Sequence, residues 1–263
     1  MTGARHELHF ADAGEAADLA AFLARLIHYD RAAAVRLQAG GEVLAVFGRP
    51  PSFEVLAIRT ARLEATVTAG TTGGAAGALD TTVSAGEFAD ALDTALAALS
   101  PAGAGPLVVP VPAAVTGPPW AGVLPPRGGW RRVEGLPGAD EVRSAVSAAV
   151  AEFRARDEAL PEERRTRAER DRIGHEIWSR TLGGTGLPLR AVHAAQSLGF
   201  LRPVRTAAAV GGAGAAAGGT AALAPVAEPL ALLSAGGWLR LRTPYGSVAV
   251  RTSGLLGLTV SPA

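Results

Sequence analysis

Near the carboxyl end the sequence sets arginine and aromatic side chains at strand spacing, and no other residues in the chain are better arranged to do chemistry. Leu239 and Leu241 alternate with Arg240 and Arg242, and Val248 and Val250 run up to Arg251. Successive side chains of a strand leave on opposite faces, so one face of this hairpin reads as apolar and the other as basic. Trp238 shares the arginine parity, and Tyr245 sits at the turn between the strands. Guanidinium groups bond oxyanions and aromatic rings stack on bases, so Trp238, Arg240, Arg242, Tyr245 and Arg251 form a candidate anion-binding set. The charge distribution points the same way. Residues 181–263 hold six Arg and one acid, Glu228, a net of +5, whereas residues 1–100 sum to −5.

A second candidate is Asp171, one helical turn before His175, a spacing that can orient an imidazole for proton transfer. The surroundings compete with that role. Between Glu152 and Arg180 lie eight Arg and eight acidic residues. Glu163 with Arg167, Arg165 with Glu169, Arg172 with Glu176 and Glu176 with Arg180 are at ion-pair spacing, worth about 0.2–0.5 kcal/mol each. The segment therefore reads as a solvated, salt-bridged surface and not as a phosphate stripe.

Other chemistries are excluded by what is absent. All 25 basic residues are Arg, so there is no P-loop lysine and no Schiff base; with no Cys there is no thiol nucleophile, disulfide or thiolate metal site. Lys and Asn are both missing while Ala and Gly abound, a bias toward G and C codons that tempers any count of arginines. There is no Gly-x-Ser-x-Gly elbow, and His175-Glu176 lacks the second histidine of a zinc helix. His6 and His9 fall on opposite faces of a predicted strand, and His28 and His193 read as packing or surface residues, so no metal site is expected. Gly212, Gly214 and Ala217 match a loose dinucleotide pattern, but no strand precedes them and no helix follows, so no cofactor is expected.

The elements that position these residues follow from hydrophobic period. A strand over Glu7–Phe10 precedes a helix whose stripe is Leu19, Phe22, Leu23, Leu26 and Ile27, opened by an Asp12-to-Glu15 capping box. Strands are predicted over 33–37, 42–47, 53–63 and 81–83. A second helix opens at Ser84 and Glu87, with Phe88, Leu92, Ala95, Leu96 and Leu99 as its stripe. The starts at 12–18 and 84–90 align at an offset of 72 residues, which can mark a strand-helix repeat. Helix, run of strands, helix is also the order in sliding-clamp domains, a likeness of layout that carries no function.

Residues 69–78 contain only Gly, Ala and Thr and read as a mobile loop. Residues 101–138 form a Pro- and Gly-rich crossing with a strand over 107–111, pinned by Trp120 and Trp130 packing on the domain. A helix opens at Asp140 with Val142, Ala145, Val146, Ala149, Val150 and Phe153 on one face, and Pro161 restarts a helix after a bend. A further helix spans 187–200. Residues 206–225 dissolve into Ala and Gly, and strands over 230–233, 238–243, 247–251 and 255–260 close the chain as an antiparallel meander.

The fold class is therefore α+β: antiparallel sheet segments packed with amphipathic helices, a helical middle and a C-terminal β-meander. Two units are expected, 1–100 and 101–263, which can also form one domain. Residues 1–9 lack a secretory layout, and eight prolines interrupt 101–126, so a cytoplasmic protein without a membrane partner is expected.

The stretches VPVPAAVTGPPWAGVLPPRGGW (109–130), HEIWSR (175–180), LPLRAVHAAQSLGFL (187–201) and GGWLRLRTPYGSVAVR (236–251) resemble uncharacterised proteins of actinobacteria such as the streptomycetes. That resemblance implies a taxonomic setting and no activity, cofactor or site residue. From the residues themselves the leading expectation is a non-catalytic binding protein whose basic C-terminal face meets an anionic partner, nucleic acid being one. The alternatives are an interaction or scaffold protein that holds a protein partner or a second copy of itself through helices 140–180, and an enzyme built on Asp171 and His175.

Overall fold

The computed structural model describes residues 6–64, 79–99, 107–203 and 230–252. Strands β1 (Glu7–Phe10) and β6 (Leu107–Pro110) form a small antiparallel sheet, and the other eight strands form one antiparallel sheet. In chain order those eight are β2 (Ala34–Gly40), β3 (Val43–Gly48), β4 (Leu56–Arg62), β5 (Asp80–Ser84), β7 (Arg131–Val133), β8 (Ala231–Ala235), β9 (Trp238–Thr243) and β10 (Gly246–Arg251). Their spatial order is β5-β2-β3-β4-β10-β9-β8-β7. Two meanders, β2-β3-β4 and β8-β9-β10, thus meet at the β4–β10 pair, where Ala57 faces Val248.

The α-helices of the described residues are α1 (Ala13–Tyr29), α2 (Ala85–Ala97), α3 (Ala139–Glu158), α4 (Arg167–Trp178) and α5 (Leu189–Ser197); α1, α2 and α5 pack on the large sheet, and α3 and α4 pack on α5. Helix α1 lies on β4, and α5 lies on β10. The two capped starts predicted at Asp12 and Ser84 work locally. The Asp12 carboxylate accepts from the Glu15 amide at 2.9 Å, and the Ser84 hydroxyl accepts from the Glu87 amide at 3.4 Å, satisfying donors that a helix start leaves open. Leu19, Phe22, Leu23 and Leu26 of α1 are buried against Leu37, Leu44 and Val46 of the sheet, each contributing about 1.5–3 kcal/mol.

The opposite face of the sheet is covered by the crossing. Trp120, Leu124 and Trp130 pack over Phe47, Leu56, Ile58, Trp238 and Ala249, as expected of two tryptophans in a Pro-rich segment. Arg36 holds that cover down: it donates to the Ala121 carbonyl and pairs with Asp80 at 2.7 Å, which keeps the Asp80 carboxyl below its ordinary range.

The helical middle differs from expectation at one point. Pro161 precedes only a turn of 3-10 helix over Glu162–Arg164, and α4 begins at Arg167 behind Thr166, whose hydroxyl accepts from the Glu169 amide at 3.3 Å. A threonine cap three residues before a glutamate outcompetes a proline start because it satisfies a backbone donor that Pro161 leaves open. Helices α3 and α4 then lie side by side and antiparallel, as the pairs Arg156–Glu176 and Arg180–Glu152 require. Strand β7 was not expected from the sequence. The loop at 69–78, the segment 206–225, the dinucleotide-like pattern at Gly212 and the strand at 255–260 lie outside the described residues.

Candidate functional site

The β8–β9–β10 meander is built by two turns, Gly236-Gly237 between β8 and β9 and Pro244-Tyr245 between β9 and β10. Gly236 and Gly237 both have positive φ, 52° and 77°, the conformation of the tight two-residue turn that matches strand twist. Gly246, at φ 150°, lies against Phe200, and a Cβ there would stand 2.6 Å from the ring. The register between the turns pairs Arg251 with Trp238, Ala249 with Arg240 and Ser247 with Arg242. Leu239, Leu241, Val248 and Val250 enter the helix-side core, and Trp238 joins the cluster on the other face, so the expected parity holds.

On that outer face Arg240 is part-buried. Its Nε donates to the Ser247 hydroxyl at 2.8 Å, and its guanidinium carbon lies 5.7 Å from the centre of the Trp130 ring. Among the described residues no carboxylate pairs with it. Burial alone acts on the group and lowers its pKa, which means that its charge is partly desolvated and uncompensated. Arg251 is exposed and rests 5.4 Å over the Trp238 ring, a cation–π contact. Arg242 is exposed on the same parity.

One further arginine extends the face. Leu233 of β8 stands between Arg240 and Arg132 of β7 in register, so the two guanidinium-bearing residues are two strand spacings apart, about 10 Å. Arg131 is exposed at the neighbouring position, on the opposite parity, in register with Ser234 and through it with Leu239. With Gly129, Ser234, Trp238 and Thr252 it lines a hollow of about 400 Å³ at the Gly236-Gly237 end of the hairpin. Strand β7 carries only three residues, too few to show a period, and its partner β8 is about a hundred residues away, so no sequence signal marked it. Trp130 fixes its indole by donating to the Pro126 carbonyl at 3.0 Å.

Trp238, Arg240, Arg242 and Arg251 are thus gathered on one face, and Tyr245 is not among them. The Tyr245 ring lies under Arg202 at 3.9 Å, and its hydroxyl donates to the Pro203 carbonyl at 3.3 Å. It belongs to a knot on the helix side. There Arg59, 9% exposed, pairs with Asp18 at 2.9 Å and donates to the Tyr245 carbonyl, while Arg202 pairs with Asp18 at 2.8 Å.

Asp171 and His175 both line a cleft between α4, α5 and the turn at Pro51–Glu54. No hydrogen bond joins the two among the described residues, and Asp171 pairs with Arg167 at 3.7 Å. Nothing there orients the imidazole. The same residues include no group of three or more His, Cys, Asp or Glu able to hold a metal ion, and no helix long and apolar enough to cross a membrane.

The charged helices pair both along themselves and across their contact, and the two bidentate pairs Arg156–Glu176 and Arg180–Glu152 run across it. Arg156 makes a bidentate bond to Glu176 with both distances 2.8 Å, and Arg180 makes one to Glu152 at 2.6 and 2.8 Å. Hydrogen bonding from Arg156, with further guanidiniums nearby, holds the Glu176 pKa down at about 2. Of the four pairs expected along the helix, Arg172–Glu176 and Glu176–Arg180 form, at 4.0 and 3.5 Å. Glu169 instead serves Arg164 and Arg172, and Arg165 donates to the carbonyls of Leu160 and Glu158. The apolar seam of these helices, Val142, Val146, Ile173 and Ile177, is buried in the core.

No curated protein matches the chain. A solved structure of a DNA polymerase sliding clamp from Pseudomonas aeruginosa with ligand is similar at 11% identity and a TM-score of 0.38, over 95% of this chain. The chain spans 65% of that clamp's length, and a likeness at this level carries no argument. Two family models match instead, together taking in almost the whole sequence: a domain of unknown function (DUF8010) over residues 3–122 and a second domain of unknown function (DUF8185) over residues 125–255.

Proposed function

We propose that the protein is a non-catalytic, cytoplasmic binding protein whose basic outer sheet face, formed by β7 to β10, takes an anionic partner, nucleic acid foremost. One observation carries the reading: Arg240 is held between Ser247 and Trp130, part-buried, with no carboxylate among the described residues to compensate it. A guanidinium kept desolvated and unpaired is costly unless an anion completes it. Arg132, Arg242 and Arg251 are its neighbours on that face, and Glu134 is the single acid in residues 107–138 and 230–252. The half-buried Trp130 supplies a ring surface beside the charges, the kind of platform single strands stack on, while Trp238 lies buried in the cluster beneath it.

The test is fluorescence anisotropy with mixed-sequence single-stranded DNA and RNA at low and moderate salt. The reading expects binding at low salt that weakens steeply as salt rises, because binding to phosphates releases counterions. Absence of binding at low salt, or indifference to ionic strength, removes nucleic acid as the partner. A parallel capture from an actinobacterial lysate with and without nuclease tells a nucleic acid from an acidic protein.

A further inference from the structure

We infer a second binding site, independent of the basic face, for a small monocarboxylate with a flat apolar body, in the cleft between the Pro51–Glu54 turn and helices α4 and α5. The cleft measures about 570 Å³, within the size range of small-molecule sites. Its walls are aromatic. His193 of α5 stacks on Trp178 of α4 with ring centres 4.4 Å apart, and Phe53 meets the His193 ring edge-on at 5.2 Å. Phe153 of α3 closes the far side, and Gly174 presents no side chain between Phe153 and Trp178, leaving a slot suited to a planar group. Burial lowers the His193 pKa, so this wall is uncharged at neutral pH.

The polar anchor is Arg190, in the first turn of α5. Among the described residues its Nε is buried without a hydrogen-bond partner, a costly state for a donor that it shares there with the Arg59 Nε. The carboxylate of Glu54 stands 3.7 Å away, beyond hydrogen-bond reach, and its side chain is 72% exposed. Glu54 is also, among the described residues, the one non-glycine residue with positive φ, 51°. Strain of that kind gathers at sites that bind or switch. The other cation of the cleft is already engaged, Arg170 with Asp157 at 2.7 Å. One guanidinium held only by a loose pair with the exposed Glu54, with Asp171 also lining the cleft, suits a single negative charge, because a phosphate dianion would meet those two carboxylates as well. A ligand carboxylate would take the place of the Glu54 carboxylate beside Arg190, accept from its guanidinium and turn Glu54 out to solvent, while its apolar body fills the slot beside Gly174.

The experiment uses the whole chain, with sodium phenylacetate and its neutral isostere phenylacetamide titrated by NMR and by tryptophan fluorescence. Phenylacetate is expected to bind saturably at millimolar concentration or below, and the amide about ten-fold more weakly, for want of the charge-assisted bond. Arg190→Gln should erase the preference for the acid. Glu54→Gln, a change at an exposed side chain, should tighten phenylacetate several-fold by removing the competing carboxylate. The inference is overturned by no saturable binding, by equal affinity for acid and amide, by an Arg190→Gln protein that keeps the preference, or by weaker binding in Glu54→Gln. None of these outcomes depends on the basic face, since Arg240 and Arg251 do not line this cleft.

Discussion

Two regions of this protein are rich in arginine, and they use it in opposite ways. In the α3–α4 hairpin Arg156, Arg164, Arg167, Arg170, Arg172 and Arg180 each face a carboxylate within 4.0 Å, and the segment from Glu152 to Arg180 is electrically neutral. On the outer face of the sheet Arg240 leans on a serine and an indole, and Arg251 leans on a second indole. Counting arginines would rank the helices first as a phosphate surface. Asking what compensates each charge reverses the ranking, because a paired guanidinium must break a bond before it can meet a ligand.

The inner face of the same sheet sharpens the contrast and gives the largest expected effect. Arg59 there is as buried as any charge in the described residues, and it has Asp18. Asp18→Ala should cost about 2–3 kcal/mol in urea unfolding, since it leaves Arg59 uncompensated and releases Arg202 from the same carboxylate. Arg240→Ala combined with Arg251→Ala should weaken single-stranded nucleic-acid binding by about 1 kcal/mol per residue while leaving the unfolding midpoint near wild type. Arg172→Ala combined with Arg180→Ala should do the reverse, lowering stability and leaving affinity unchanged. Ser247→Ala frees the Arg240 guanidinium to swing; a loss of affinity of about 0.5–1 kcal/mol is expected, less than removing the arginine itself.

The smallest effect concerns pH. The Glu176 carboxyl titrates at about 2 in the folded protein, first because Arg156 hydrogen-bonds it, against an ordinary value of 4.5. A depressed carboxyl contributes stability that is fully present above 4.5 and lost as pH falls toward 2. Wild type should therefore melt slightly above Glu176→Gln at neutral pH, and the two curves should converge through that acid window. The pair is exposed, so the difference is small.

Much of the scaffold was legible in the sequence because its signals are local. Asp12 and Ser84 lie three residues before a glutamate and cap their helices, and the alternation from Trp238 to Thr243 sorts its side chains onto the faces expected of it. What escaped depends on partners distant in the chain. Strand β7 exists because β8 pairs with it, and Tyr245 leaves the arginine face because Arg202 and Pro203 take it. Ion pairs expected along α4 were partly redirected across to α3, which helix spacing alone cannot reveal. The carboxylate cleft joins residues 51–54 to 153–193, so neither Arg190 nor His193 carried a mark in the linear order.

The basic face is tested most directly by the slope of log affinity against log salt for single-stranded DNA, compared between wild type and the Arg240→Ala, Arg251→Ala double variant. Removing one phosphate-binding guanidinium should reduce that slope by about 0.7, so the double variant is predicted to be shallower by about 1.4. Identical slopes in the two proteins would contradict the assignment of this face.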